Sequence, residues 1–234
     1  MKNYPLSILA FWGVFLVESC GFSAGVVRRD DLRKMNPAQA LTRLTDGHDR
    51  FLKNRTKIYR LNDQRYYVGK YGAFPPAVIL CGTDARVSPE LIFNQGLGDV
   101  FCLRTPASMV TNEAIGAMEH ACRDIGSKVI LILMQTHDPF IEATIDNNTA
   151  ANLPAITYHI RPAFDNVQRD PKWRKWKREY LVSAVTSEFL MLNVEKLKNL
   201  SPILRGMMER GEVVIVSGIY DVETGKISYI RGDE

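Results

Sequence analysis

The charged side chains with the clearest chemical use lie in two short segments, each of which follows an apolar run. Asp84 and Arg86 come after Ala77–Leu80, and His137 and Asp138 come shortly after a second run, VILIL. A carboxylate and a guanidinium group two residues apart can form a charge-assisted pair that shapes a loop. An arginine held in a pocket can instead bind a small carboxylate. The residue types leave both roles open.

Four short runs of mostly branched apolar residues indicate the framework that positions these groups. Apolar runs without alternation are typical of strands buried on both faces, as in a parallel sheet covered by helices. We therefore predict an α/β fold with a mostly parallel central sheet flanked by helices. The four predicted strands are Ala77–Leu80, Val100–Leu103, Val129–Leu133 and Val213–Val216.

Helix and turn signals complete this framework. Asn36 before Pro37 predicts a helix start, Thr111 predicts a second, and residues 179–199 carry the longest helical pattern. The turn Asp221–Gly225 separates the fourth run from residues 226–230, so we expect a C-terminal antiparallel hairpin. No repeat or linker divides the chain, and residues 25–234 are predicted to form a single domain.

Composition excludes several classes of protein. The 234 residues are 46% hydrophobic and 24% charged, which are ordinary values for a globular chain. A net charge of +4 is too small to make nucleic acid the expected partner. Four cysteines in this length do not form a disulfide-stapled mini-domain. Cys81, Cys102 and Cys122 each lie in an apolar segment, so we expect buried thiols without disulfides among them.

The N-terminal residues 1–24 have the pattern of an export signal. Lys2 precedes the apolar stretch Tyr4–Val17, which is short for a membrane span, and small residues follow. Cleavage after Ser23 gives a soluble periplasmic or secreted protein. Cleavage before Cys20 gives a lipidated one, although Glu18 makes a poor lipidation motif. An uncleaved membrane anchor is the third possibility.

The block Pro75–Asp146 resembles the β-class carbonic anhydrase family. The resemblance extends to Ala40–Phe51, to Asn193–Gly211 and to Gly218–Lys226, so it covers most of the chain after the N-terminal segment. The motifs that carry it are Asp84-Ala85-Arg86, the run Pro89–Asp99, Arg104 at a strand end, and Glu113-Ala114-Ile115-Gly116.

This resemblance implies a zinc enzyme that hydrates CO₂. In the family, Cys-x-Asp-x-Arg after the first strand and Gly-His-x-x-Cys-Gly after a later one supply two thiolates and one imidazole. The metal lowers the pKa of its bound water, and the resulting hydroxide attacks CO₂. The resemblance also implies a homodimer, or a tetramer of two dimers, in which N-terminal helices embrace the partner.

All three zinc-ligand positions of the family pattern are changed here. Gly82, Gln135 and Asp138 stand where Cys, His and Cys are expected, and Arg104–Ser108 also departs from the pattern. The neighbouring Cys81 should face the other side of its strand. We therefore expect no cofactor and little or no CO₂ hydration. A ligand pocket of Gly82, Gln135, His137 and Asp138 is predicted to converge on the retained catalytic pair, Asp84 and Arg86.

Other functions stay open at this point. Asp84, His137 and Asp138 can form an oxygen-rich site for a harder metal, which would make the protein an active lyase or a related hydrolase. Arg86 can hold bicarbonate or another small anion. Residues 169–178 (RDPKWRKWKR) contain six basic side chains and two tryptophans. This segment is either a solvated insert or a weak contact for a membrane or a partner protein.

Overall fold

The computed structural model describes residues 25–230, which form a five-stranded sheet covered by helices. The strands are β1 (Ala77–Cys81), β2 (Val100–Arg104), β3 (Val129–Gln135), β4 (Val214–Tyr220) and β5 (Ile227–Ile230). Their order in the sheet is β2-β1-β3-β4-β5. The first four strands are parallel, and β5 runs antiparallel to β4. The predicted fold class and the terminal hairpin are thus confirmed.

Four helices within residues 25–230 begin at a residue whose side chain accepts a hydrogen bond from the first backbone N–H groups. Asn36 accepts from the backbone of Gln39, and Thr111 accepts from that of Ala114, as predicted. A π-helical turn, His120–Ile125, continues the helix that follows Thr111. The helices are α1 (Arg29–Lys34), α2 (Pro37–Leu52), α3 (Leu61–Tyr71), α4 (Pro89–Ile92), α5 (Asn112–Glu119), α6 (Pro139–Ile145), α7 (Pro154–Val167), α8 (Arg178–Leu200) and α9 (Pro202–Glu209).

Both faces of the central strands are buried, which explains the unbroken apolar runs. Val78 and Leu80 of β1 pack on one side with residues of α5, α7 and α8. Ile79 and Cys81 pack on the other side with residues of α2 and α4. Every residue of β1 and β3 is buried. The sheet therefore forms a rigid platform with helices on both faces.

Helix α3 has no counterpart in the predicted elements. Only Gln64 is buried within it, so the helix lacks the apolar stripe by which a helical period is recognised in a sequence. Strand β3 is also longer than its apolar run. It continues through Met134 to Gln135 because that residue pairs with Tyr220 of β4. This extension fixes the position of Gln135.

The basic segment 169–178 turns its two tryptophans towards the protein. Trp173 and Trp176 are half-buried and pack against the core on the α7–α8 side of the sheet. The ring of Trp173 contacts Phe164 edge-on, with 5.8 Å between the centroids. The indoles thus have a packing role, while the basic side chains around them face solvent.

The predicted export signal or anchor in residues 1–24 lies outside the described residues. Among residues 25–230, no helix combines the length and the apolar character needed to cross a membrane. Within the same range, Cys81, Cys102 and Cys122 are free thiols.

Candidate functional site

The ends of β1 and β3 bring the two chemistry-bearing segments together. These strands are parallel neighbours, with Cys81 beside Leu133 in the ladder. Parallel strands end at the same edge of a sheet, so the loops that follow them meet there. Gly82 begins one loop, and Gln135 is the last residue before the other.

Asp84 and Arg86 form a closely bonded ion pair in the first loop. The Asp84 Oδ1 atom accepts from the Arg86 backbone N–H at 2.8 Å and from Nε at 3.0 Å. Its Oδ2 atom accepts from Arg86 Nη2 at 2.7 Å. These hydrogen bonds from Arg86 are the main reason why the pKa of Asp84 falls to about 2. The carboxylate is therefore ionised at neutral pH and already engaged.

Gln135 joins this pair from the end of β3. Its Nε2 atom donates to Asp84 Oδ2 at 2.7 Å, and the residue is 1% exposed. Its Oε1 atom has no hydrogen-bond partner among residues 25–230. A Cβ atom built on Gly82 would lie 2.9 Å from that oxygen and 3.8 Å from Ser108 Oγ. Gln135 therefore lies in direct contact with Asp84, and its amide occupies the space beside Gly82.

Asp138 lies near enough to Asp84 to sense its charge, but the Asp138 carboxylate caps helix α6. Oδ1 accepts from the backbone N–H groups of Phe140 and Ile141 at 2.9 and 3.4 Å, which caps α6. The side chain is buried, and this burial raises the pKa of Asp138 despite the two capping bonds. The negative charge of Asp84 raises it further. The two carboxylates thus share one electrostatic environment while bonding to different partners.

His137 does not join the Asp84 cluster through its ring. Its backbone has a left-handed φ of 53°, and the ring nitrogens lie 3.7 Å from Glu142 and 3.8 Å from Glu223. Only the backbone oxygen of His137 reaches the cluster, where it accepts from Arg86 at 3.3 Å. Across the described range, no three His, Cys, Asp or Glu side chains are grouped so that they could hold a metal ion.

Arg104 supports the loop in a way that sequence reasoning missed. Its guanidinium group donates to the backbone oxygens of Gly82, Asp84 and Val87 at 3.2, 2.7 and 2.8 Å. Arg104 ends β2 beside Cys81 of β1, which aims its long side chain at the loop after β1. The sequence shows only an arginine at the end of an apolar strand. The three backbone oxygens that accept from Arg104 come within reach only when the loop after β1 is folded.

The side chains at the three aligned positions do not fit a zinc ion. Gly82 has no donor atom, and Gln135 directs an N–H group at Asp84, where a metal would require a lone pair. Asp138 is committed to the start of α6. Cys81 packs against the opposite face of the sheet, and burial raises the pKa of its thiol to about 11. Cys81 is therefore not placed to supply a zinc-binding thiolate at this edge of the sheet.

Sequence and structure comparisons agree on the relatives of this chain. Carbonic anhydrase 2 of Mycobacterium tuberculosis is 33% identical over 98 residues, which are 42% of this chain and 47% of that protein. The carbonic anhydrase of Mycolicibacterium smegmatis is 31% identical over 122 residues, or 51% of this chain and 58% of the relative. The chain therefore spans about half the length of the curated relatives it matches.

Solved structures of β-carbonic anhydrases share the fold. CcaA superimposes with a TM-score of 0.65 at 19% identity, covering 83% of this chain and 92% of that one. CafA of Aspergillus fumigatus gives a TM-score of 0.66 at 21% identity, covering 74% and 83%. A tetrameric β-carbonic anhydrase of Sordaria macrospora gives 0.65 at 15% identity, covering 72% and 87%.

A family model described as carbonic anhydrase matches residues 77–227. The matched region contains β1 to β4 and both loops that carry the Asp84 cluster. Because it spans well over half of the chain, and because the related structures are of the β class, this chain belongs to the β-class carbonic anhydrase family.

Proposed function

We propose that this protein is a β-class carbonic anhydrase homologue that binds no stoichiometric zinc and hydrates CO₂ little or not at all. The observation that supports this most strongly is the 2.7 Å hydrogen bond from Gln135 Nε2 to Asp84 Oδ2. It closes the site with an amide where the family pattern has a metal ligand. Without a metal, a water molecule with a pKa near 15.7 does not supply hydroxide at neutral pH.

The retained Asp84–Arg86 pair then serves the structure of the loop. Asp84 neutralises Arg86 through three side-chain hydrogen bonds, and Arg104 holds the surrounding backbone. The same pairing disfavours an anion at Arg86, because an incoming bicarbonate has to compete with a carboxylate that is already in place. We therefore propose that this edge of the sheet stabilises the fold or contacts another protein.

The test is zinc analysis and CO₂ hydration on the same purified full-length protein. We expect less than about 0.1 zinc per chain, far below the stoichiometric content of a structural site, and hydration at the background rate. The matched control is the triple variant Gly82→Cys, Gln135→His and Asp138→Cys, which restores the family ligands and is expected to bind zinc. Stoichiometric zinc in the unmodified protein, with hydration that a chelator abolishes, favours the rebuilt metal site and an active lyase.

We also propose export and self-association. Residues 1–24 carry the export pattern described above, and N-terminal sequencing of the protein from cell fractions distinguishes cleavage after Ser23 from lipidation at Cys20. For assembly, support comes from the tetrameric Sordaria macrospora structure and from β2, an edge strand with half-exposed apolar side chains. Light scattering is expected to show a homodimer or a tetramer; a monomer contradicts this part of the proposal.

A further inference from the structure

A positively charged surface lies at the other end of the sheet from the Asp84 cluster. Helix α3 packs on the loop that leads into β2, where Gln64 Oε1 accepts from the Leu97 backbone N–H at 3.0 Å. Val68 of the same helix lies beside Gly98 of that loop. The Asp84 cluster lies where parallel strands end, whereas this loop lies where one of them begins. The surface is therefore separate from the site on which the proposed function rests.

Exposed apolar and basic side chains lie together on this surface. Ile58 is 92% exposed and Tyr66 is 65% exposed. The Lys70 ammonium group lies 5.7 Å from the centroid of the Tyr66 ring and 5.2 Å from that of the Tyr71 ring. Exposed apolar side chains that are clustered, rather than single, mark a binding surface. The α3 face denotes the exposed side chains of Ile58, Leu61, Arg65, Tyr66, Lys70 and Tyr71.

The α3 face lies in a segment with an excess of positive charge. Residues 53–74 contain six basic side chains and one acidic side chain, a net charge of +5 in a chain whose total is +4. The acidic residue, Asp63, is half-buried and pairs with Arg60 at 2.7 Å. Helix α1 lies alongside, with the Arg29 guanidinium group 4.9 Å from the Phe74 ring centroid. This helix has three basic and two acidic side chains, so it does not cancel the excess.

The described part of the chain begins beside this segment. A Cβ built on Gly25 would lie 3.6 Å from Lys57 Nζ and 3.9 Å from Gln64 Nε2. Only residues 18–24 separate Gly25 from the apolar stretch Tyr4–Val17, and a spacer of this length reaches at most about 25 Å when fully extended. A bilayer that receives the apolar stretch is therefore within reach of the α3 face.

We propose that the α3 face docks on the anionic phospholipid headgroups of a bilayer. Arg65 and Lys70 pair with phosphate groups, and the Tyr66 ring lies among the headgroups, where a ring with a polar tip is favourable. The choice of a membrane rests in part on the proposed export, which N-terminal sequencing tests separately. A symmetric contact between two such faces is disfavoured, because it brings like charges together.

The experiment measures the affinity of the purified full-length protein for vesicles of phosphatidylcholine alone and of equal parts phosphatidylcholine and phosphatidylglycerol. Any contribution of the stretch Tyr4–Val17 is common to both kinds of vesicle, so the ratio of the two affinities reports the electrostatic contact. We expect more than about 25-fold tighter binding to the anionic vesicles, and this preference should vanish at high salt. Equal affinity for both kinds of vesicle, or no binding, overturns the proposal.

Two double variants test the location of the contact. Arg65→Gln with Lys70→Gln should weaken binding to the anionic vesicles roughly 25-fold, because each basic side chain near such a surface contributes about fivefold. Arg174→Gln with Lys175→Gln is the control, since it removes the same charge from two exposed side chains of the basic segment 169–178. The control should leave the affinity within about twofold. Thermal unfolding verifies that both variants are folded.

Three further outcomes of this comparison overturn the proposal. Equal weakening in the two double variants means that the α3 face is not the site of contact. If Arg65→Gln with Lys70→Gln changes the oligomeric state in light scattering, a second copy of the chain covers the face. If a single-stranded oligonucleotide displaces the protein from the anionic vesicles, the face binds nucleic acid instead.

Discussion

Gln135 donates a hydrogen bond to Asp84 across 2.7 Å and so links the end of β3 to the loop after β1. The two residues are 51 positions apart in the chain, and the parallel pairing of their strands brings them together. The acceptor is an ionised carboxylate, which makes this one of the stronger kinds of hydrogen bond in a protein. In this family member, an amide and a carboxylate hold together the edge of the sheet where the loops after β1 and β3 meet.

Gly82 and Gln135 are expected to be energetically coupled. A Cβ on residue 82 would lie 2.9 Å from Gln135 Oε1, so Gly82→Ala forces that side chain to move and should lower the free energy of unfolding by about 1–3 kcal/mol. In a Gln135→Ala background the obstacle is gone, and the same substitution should cost less than about 1 kcal/mol. Urea unfolding of the two single variants and the double variant measures the coupling. If the change in free energy of unfolding of the double variant equals the sum of the changes in the two single variants, the close contact between residue 82 and Gln135 is contradicted.

Asp84 is expected to stabilise the fold in a pH-dependent manner. Its folded-state pKa of about 2 lies below the ordinary value of 3.8. The ionised form therefore contributes stability that is fully present above the unfolded-state pKa and is lost as the pH falls through 2. Asp84→Asn should reduce the free energy of unfolding by about 1–3 kcal/mol at pH 7, and this difference should shrink between pH 4 and pH 2.

The control for Asp84 is Asp49→Asn, which removes a solvent-exposed carboxylate paired with Lys53. Exposed pairs of this kind contribute little, so we expect a change below about 0.5 kcal/mol. If the loss in free energy of unfolding caused by Asp84→Asn stays constant down to pH 2, ionisation of Asp84 is not the source of the stability.

Asp138 should tolerate an amide better than an alanine. Asp138→Asn keeps an oxygen that caps α6, whereas Asp138→Ala removes it and should cost about 1 kcal/mol. Burial raises the pKa of Asp138, so the ionised form is disfavoured in the fold and reduces stability as the pH rises above the unfolded-state value of 3.8.

At pH 7 we therefore expect the free energy of unfolding of Asp138→Asn to equal or exceed that of the unmodified protein. Any advantage should disappear below the unfolded-state pKa, where Asp138 is protonated in both states. Denaturant curves at pH 7 and pH 3 provide the measurement. If Asn proves as harmful as Ala at pH 7, the capping role is wrong.

Gly47 should be irreplaceable within α2. A Cβ at this position would overlap the backbone oxygen of Phe93, which cannot move as a side chain can. We expect Gly47→Ala to cost more than about 3 kcal/mol. Gly116 of α5 is the matched helical control, because nothing lies within 4 Å of its Cβ position. Gly116→Ala should stabilise by about 0.5–1 kcal/mol. Thermal unfolding that ranks the two variants in the opposite order contradicts the close packing of α2.

The sequence by itself determined the central sheet and the two segments whose residues are compared with the family's ligand pattern. Strands β1 and β3 are buried on both faces, and this burial demands the unbroken apolar runs from which they were predicted. The turn at Asp221–Gly225 likewise predicted the hairpin of β4 and β5. Gly82 and Gln135 could be compared with the family pattern residue by residue, because the resemblance continues on both sides of each position.

Only the tertiary structure decided what these side chains do. Asp138 caps α6, His137 turns its ring to Glu142 and Glu223, and Arg104 bonds to the backbone of the neighbouring loop. The sequence does not predict helix α3 either, because the helix buries only Gln64 and so has no apolar stripe. Each of these outcomes depends on partners that the strand register and the loop backbone bring within hydrogen-bonding distance. Local patterns carry no information about such contacts, since residues that meet across a parallel sheet are far apart in the chain.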